Sequence, residues 1–166
     1  MLEQVFDALS RDDRLRIFLT LDHFWARLAM HIRAEHLHLF PILLQKAAES
    51  NLLEATGDIL SRLPYTISLL RRDHDCFVKE IGKDVNRLRE QGREMVEPAT
   101  VDLGEIQRNL LTVAQRLEVH NELEENEVYP LAQVLLTSEE IAGLTDSIRA
   151  ELANFPLRFR GHSHSD

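Results

Sequence analysis

Cysteine, glycine and proline are scarce in this chain of 166 residues, and each shortage excludes a class of protein. The single cysteine, Cys76, rules out an internal disulfide framework and a four-thiolate zinc site, and it suits a reducing environment. Six glycines and five prolines argue against a turn-rich all-β fold. No apolar run approaches the ~20 residues that cross a bilayer, and the first residues lack the pattern of a secretory signal. We therefore expect a cytoplasmic protein that does not enter the membrane.

Positively charged residues are also fewer than negatively charged ones. The chain has 19 lysines and arginines against 28 aspartates and glutamates, which gives a net charge of −9. This balance opposes nucleic-acid binding, because such binding draws on clustered cations. The sequence contains no P-loop, dinucleotide fingerprint or nucleophile elbow. Hydrolysis and group transfer therefore have no positive support in the sequence.

Apolar residues recur at steps of three and four along nearly the whole chain, which is the period of an amphipathic helix. We expect the first helix to be kinked or loosened near Pro41, because proline lacks a donor and crowds the preceding turn. Four helices with short connections imply an all-α bundle. We expect one domain over 1–156 and a mobile tail over 157–166. The helices are predicted over about 12–49, 59–91, 100–136 and 137–155.

A shift of 89 residues superimposes two parts of the chain. Each part carries a histidine, then a glutamate four residues later, then an aromatic–proline pair. A chance match of these types at the same spacings is improbable, because histidine and proline are individually uncommon. The period is too long for a solenoid and indicates two equivalent helices in a pseudo-symmetric bundle. The copies comprise His31, Glu35, Phe40 and Pro41, and His120, Glu124, Tyr129 and Pro130.

The spacing of histidine and glutamate within each copy suits a metal site. Residues four apart lie on one face of a helix, with Cβ atoms ~5–6 Å apart. Leu28 and Leu117 precede the two histidines by three residues, so both pairs fall where the apolar stripe predicts core. A buried histidine or glutamate without a partner is unfavourable, and a shared cation held by imidazole and carboxylate is the simplest remedy. His74, on the apolar stripe of the 59–91 helix, would add a third imidazole.

Each feature alone has a simpler explanation, since a lone histidine on an apolar face is usually a core residue. The duplication together with His74 favours a metal site over a duplicated bundle whose site has decayed. On an ideal helix His38 returns to within ~20° of the face of His31, whereas His23 lies ~80° away from it. His36 is expected to face sideways, in a solvated role or in contact with a ligand. The candidates for additional ligands are His38, His23 and Asp13.

With these motifs the chain resembles the hemerythrin-like, or HHE cation-binding, family. The resemblance covers roughly 12–136 and includes the Asp73-His74 pair between the two copies. It implies an up-down four-helix bundle with two non-haem iron ions that binds or senses a small diatomic ligand, O2 or NO, or that senses redox state, rather than turning over a substrate. The ligands that it implies are terminal imidazoles from His31, His74 and His120 and bridging carboxylates from Glu35 and Glu124.

The chain departs from this family before the first copy. Family members carry a further histidine on an earlier helix, and the run 10–16 has none. We therefore expect the usual first helix to be missing, or replaced by the segment after Thr137 or by a partner subunit. Three imidazoles and two bridging carboxylates supply seven of the about twelve donor positions of two six-coordinate ions. Such a site is open to a small ligand, or holds its metal less tightly.

Other interpretations stay open at the level of sequence. Another divalent metal would also suit these ligands. A ferritin-like di-metal oxidase is an alternative, because Glu35-x-x-His38 matches the spacing of that group once. A metal-free helical scaffold or regulator is another. Phe18, Phe24 and Trp25 partly encircle the first predicted helix, which is more apolar surface than one face needs and predicts a homodimer.

Overall fold

The computed structural model describes residues 2–49, 57–91 and 101–156, and every regular element in these ranges is helical, with no strand. The predicted all-α class is confirmed, whereas the predicted tail over 157–166 lies outside the described residues. No described helix has the length and apolar character that a membrane crossing requires. In chain order the elements are α1 (Leu2–Ser10), α2 (Arg14–Ala34), a first π-helical segment (Glu35–Leu39), α3 (Phe40–Glu49), α4 (Gly57–Gln91), α5 (Leu103–Leu123), a second π-helical segment (Glu124–Val128), α6 (Tyr129–Leu135) and α7 (Ser138–Ala153).

Three long helical rods form the frame of the protein. The first rod joins α2 to α3, the second is α4, and the third joins α5 to α6. Arg14 at the start of α2 donates a 2.9 Å hydrogen bond to Gln91 at the end of α4, so these helices run antiparallel. Arg87 near the end of α4 pairs with Glu105 at the start of α5 at 2.9 Å. Helices α2 and α5 therefore point in the same direction, and the two sequence copies stand at the same height.

Helix α7 runs back along the first rod. Its start is fixed by a capping box, in which Thr137 and Glu140 each accept the other's backbone N–H. Lys46 then pairs with Glu140 at 2.5 Å, and Arg33 pairs with Glu151 at 2.6 Å. The Lys46 ammonium and the cap lower the pKa of the Glu140 carboxyl to about 2. The order of these pairs shows that α7 is antiparallel to α2 and α3.

Helix α1 corrects the expectation that no helix precedes the first long rod. A turn with Asp12 at a φ of 53° separates α1 from α2. Helix α1 packs on α2 and α5 and buries Val5 and Ala8. At ~1.5 Å per residue its nine residues span ~14 Å, whereas His31 lies ~25 Å along α2. Helix α1 therefore covers only the lower part of the bundle and does not reach the level of His31.

Two apolar clusters fill the interior and leave a polar layer between them. The first cluster involves α1, α2, α4 and α5, and the second involves α3, α4 and α6. On α4, Leu70 belongs to the second cluster and Phe77 to the first. His74 lies between them and is only 1% exposed. The interior thus changes from apolar to polar at the level of His74.

The aromatic residues that predicted a homodimer pack within the chain. Phe24 is buried, and the guanidinium of Arg89 lies over the ring of Phe18. The indole N–H of Trp25 donates a 3.0 Å hydrogen bond to the carbonyl of Val78 on α4. Intrachain packing therefore accounts for these side chains, and the homodimer stays an untested prediction.

Candidate metal centre

Both His-x3-Glu pairs span the junction between an α-helix and a π-helical segment. His31 lies in the last turn of α2 and Glu35 opens the first π segment; His120 and Glu124 repeat this at the end of α5. In each copy the aromatic N–H donates to the carbonyl of the glutamate five residues earlier. The proline that follows lacks an N–H and crowds the carbonyl one turn back, which a wider turn accommodates. The duplicated sequence therefore produces a duplicated local distortion.

The five predicted ligands converge in the polar layer. Nε2 of His31 lies 3.4 Å from Glu35, and Nε2 of His120 lies 3.1 Å from Glu124. His74 stands between the pairs: its Nε2 lies 3.4 Å from Glu35, 3.8 Å from Glu124 and 2.9 Å from Nε2 of His120. Two sets of three donors are compact enough to hold an ion, and they share Glu124. One set is His74, His120 and Glu124, and the other is His31, Glu35 and Glu124.

Several buried atoms of this cluster have no hydrogen-bond partner. They include Oε2 of Glu35, Oε1 of Glu124 and Nδ1 of His120. An unsatisfied buried acceptor is unfavourable, and a buried carboxylate needs a cationic partner. In the described part of the chain, the ion-pair contacts of Glu35 and Glu124 are all with imidazoles. The donor set therefore fits a bound cation better than it fits a closed hydrogen-bond network.

The electrostatics of the cluster keep Glu35 and His74 neutral near pH 7 when no ion is present. Burial, reinforced by the neighbouring Glu124 carboxyl, raises the pKa of Glu35 to about 8. Burial, together with the nearby imidazoles of His120 and His36, lowers the pKa of His74 to about 3. A neutral His74 keeps a lone pair, which is the form that binds metal. The His74 imidazole is thus prepared for an ion, while Glu35 must lose a proton.

Tyr129 is a member of the cluster that the sequence analysis missed. Its hydroxyl lies 3.0 Å from Oε1 of Glu35 and 3.0 Å from Oε2 of Glu124. A phenol has one proton, so one of the two carboxyls must itself donate, which agrees with the raised pKa of Glu35. The equivalent residue of the first copy, Phe40, instead stacks on the His74 ring. The sequence signal that could have identified Tyr129 is that the second copy has a tyrosine where the first copy has a phenylalanine.

The ligand imidazoles are supported from outside the cluster. Nε2 of His36 lies 2.9 Å from Nδ1 of His74, so His36 fulfils the expectation of a role in contact with a ligand. Oδ2 of Asp73 lies 3.5 Å from Nδ1 of His120, and Arg116 holds Asp73 through a 2.8 Å hydrogen bond. Such partners fix the orientation of a ligating imidazole and raise its basicity. Asp73 thus supports the imidazole of His120, and His36 supports the imidazole of His74.

The three candidates for additional ligands lie elsewhere. Asp13 caps α2 by accepting the N–H of Arg16 at 3.1 Å. The ring of His23 lies 5.3 Å from that of Phe155. His38 faces α7, with Nε2 4.0 Å from Glu151. The expectation for His38 assumed an ideal α-helix, and the π segment adds a residue to the turn and rotates His38 away from the cluster.

In comparisons with known proteins, no family model, curated protein or solved structure matches this chain.

Proposed function

We propose that the chain binds two non-haem iron ions in this cluster and uses them to bind or sense a diatomic ligand such as O2 or NO. The observation that carries the proposal is the pair of buried carboxylates, Glu35 and Glu124, which lie among three imidazoles and have one unpartnered oxygen each. A mixture of imidazole and carboxylate suits iron, and another divalent metal remains an alternative for the same ligands.

The chain itself would supply ligands, shielding and orientation. His31, His74 and His120 would be terminal ligands, and each carboxylate has one oxygen toward each set of donors. The apolar clusters above and below the polar layer shield the ions along the length of the bundle. Iron in such a site supplies reversible binding of a small ligand, because the protein fills only seven of the about twelve donor positions.

The resemblance to the hemerythrin-like family supports the same proposal. The helices that carry His31, His74 and His120 follow one another in the order that the resemblance implies, and neighbouring rods run antiparallel. Helix α1 packs on α2 and α5 below the level of His31, and the His31 side chain is 47% exposed. We therefore propose a hemerythrin-like protein with an incompletely covered centre.

The position of His38 weakens the ferritin-like alternative. That alternative needs Glu35 and His38 to reach the same ion, as in a Glu-x-x-His ligand pair. In the structure His38 faces Glu151 on α7, whereas Glu35 faces the interior. The single spacing match therefore does not correspond to a pair of converging ligands.

Metal analysis after anaerobic loading with Fe(II) tests the proposed function. We expect two iron ions per chain, and near-ultraviolet charge-transfer absorption after exposure to air. Glu124→Ala and His120→Ala should each lower bound iron sharply, because each removes a buried ligand and leaves the others poorly paired. Glu125→Ala is the matched control, since Glu125 is the exposed neighbour of Glu124. Equal iron contents in all four proteins, or only traces of iron in the parent, would refute the proposal and favour a metal-free scaffold.

A further inference from the structure

The two sets of donors differ in their access to solvent. His74, His120 and Glu124 have side chains that are 1–2% exposed. The His31 side chain is 47% exposed, and Tyr129 is 36% exposed. Since α1 ends below the level of His31, no part of it covers that side of the cluster. The cluster therefore has an inner side, deep in the bundle, and an outer side that reaches the surface.

Each carboxylate presents one oxygen to each side. Oε2 of Glu35 and Oε1 of Glu124 face the inner imidazoles, at 3.4 Å from His74 and 3.1 Å from His120. Oε1 of Glu35 faces outward and lies 3.4 Å from His31. Oε2 of Glu124 also faces outward, toward the hydroxyl of Tyr129. The four oxygens thus divide into an inner pair and an outer pair.

The two pairs of oxygens also differ in how well they are satisfied without an ion. The inner oxygens, Oε2 of Glu35 and Oε1 of Glu124, have no hydrogen-bond partner. The outer oxygens both lie 3.0 Å from the hydroxyl of Tyr129. On the inner side, the two Nε2 atoms of His74 and His120 lie 2.9 Å apart, and only one of them can donate a proton to the other. An inner ion would give the two inner oxygens a partner, whereas an outer ion would compete with the Tyr129 hydroxyl for the outer oxygens.

We propose that the two metal positions are unequal: a buried inner position that fills first and holds its ion, and an outer position that exchanges its ion with solvent. The inner position is formed by His74, His120 and the inner oxygens of Glu35 and Glu124. The outer position is formed by His31 and the outer oxygens, which Tyr129 satisfies when the outer ion is absent. This inference rests on the proposed function, because it assigns an order of binding to the same centre. It makes the chain responsive to the supply of metal, with states that hold one ion and two.

Release of iron to a chelator tests this inequality. The full-length protein is loaded anaerobically with Fe(II) and mixed with excess of a coloured ferrous chelator, and the release of iron is followed by absorbance. We expect two phases of equal amplitude whose rates differ at least tenfold. His31→Ala should bind one ion per chain and retain only the slow phase. Arg27→Ala is the matched control, because Arg27 is exposed one turn before His31, and it should show both phases.

The outcomes separate the inference from the proposed function. Two ions released in one phase from the parent protein would overturn the inequality and leave the di-iron proposal standing. Loss of both ions in His31→Ala, with the helical circular dichroism of the parent retained, would also overturn it. A parent protein that binds no iron would refute both. His120→Ala should lose the slow phase, and an unchanged slow phase in that variant would show that the inner position is wrongly assigned.

Discussion

Binding of a metal ion to the metal-free protein should release a proton from Glu35. Burial and the adjacent Glu124 carboxyl raise the pKa of Glu35 to about 8. At pH 7 about nine-tenths of the Glu35 side chains are therefore protonated, and at pH 9 about one-tenth. An ion binds the carboxylate form of Glu35, so this proton must be released when the first ion binds. We expect about 0.9 proton released per first ion at pH 7 and about 0.1 at pH 9.

Calorimetric titration measures this release directly. The protein is titrated anaerobically with Fe(II) in buffers of different ionisation enthalpy, and the dependence of the observed enthalpy on the buffer gives the number of protons. Glu35→Gln is the matched control, because it keeps the size of the side chain and removes the proton, so its release at pH 7 should be close to zero. His74 does not contribute, since its pKa of about 3 leaves it neutral throughout this range. The same release at pH 7 and pH 9 in the parent would refute the reasoning.

The same shift makes the stability of the metal-free protein depend on pH. The folded pKa of Glu35 lies above its ordinary value of 4.5, so the folded state binds more protons than the unfolded state between pH 4.5 and 8. The free energy of unfolding should therefore fall as pH rises through this window, by up to about 1.4 kcal/mol per pH unit for one proton. Urea unfolding of the metal-free protein at pH 6.5 and pH 8 checks the sign. A midpoint that is higher at pH 8 would contradict it.

Three substitutions test other parts of the argument. Tyr129→Phe should strengthen binding of the second ion, because it removes the hydroxyl that occupies the outer oxygens; weaker binding in a Fe(II) titration would identify the phenol as a ligand instead. Asp73→Asn should lower metal affinity about tenfold by equilibrium dialysis, since the carboxylate beside His120 orients that ligand; unchanged affinity would remove Asp73 from the centre. Thr137→Ala should cost about 1 kcal/mol of unfolding free energy by loss of the α7 cap, with Thr137→Ser as the near-neutral control; equal stability of the two variants would contradict the capping role.

The sequence was sufficient to predict which five side chains would converge. Their positions follow from the helical period and from the repeat, and both survive in the structure because the two copies distort in the same way. The helical class and the range of α7 were also predictable, since apolar periodicity and a capping box are local signals. The short helix α1 was missed, because its nine residues contain too few helical periods to indicate a helix before residue 12.

The sequence did not determine the direction in which the side chains of His38 and Tyr129 point from their helices. The prediction for His38 depended on an ideal α-helix between His31 and Pro41, and the π segment broke that assumption. The role of Tyr129 depended on the gap between two glutamates on separate rods, which no local spacing encodes. The sequence therefore does not determine the side-chain direction of residues that lie beyond a π segment or that contact residues on another rod.

The two copies are alike in sequence, but the two proposed metal positions are not equivalent. Each copy supplies one histidine and one glutamate, but their surroundings are not duplicated. His120 faces α4 and its neighbour His74, so it is 2% exposed, whereas His31 stands on the side where α1 ends and is half exposed. The repeat determines which donor groups are present, whereas the helices that pack around each copy determine how exposed those groups are to solvent. The asymmetry of the centre is thus a property of the surrounding helices, and an extension of α1 that covered His31 should slow release of the outer ion without changing any ligand.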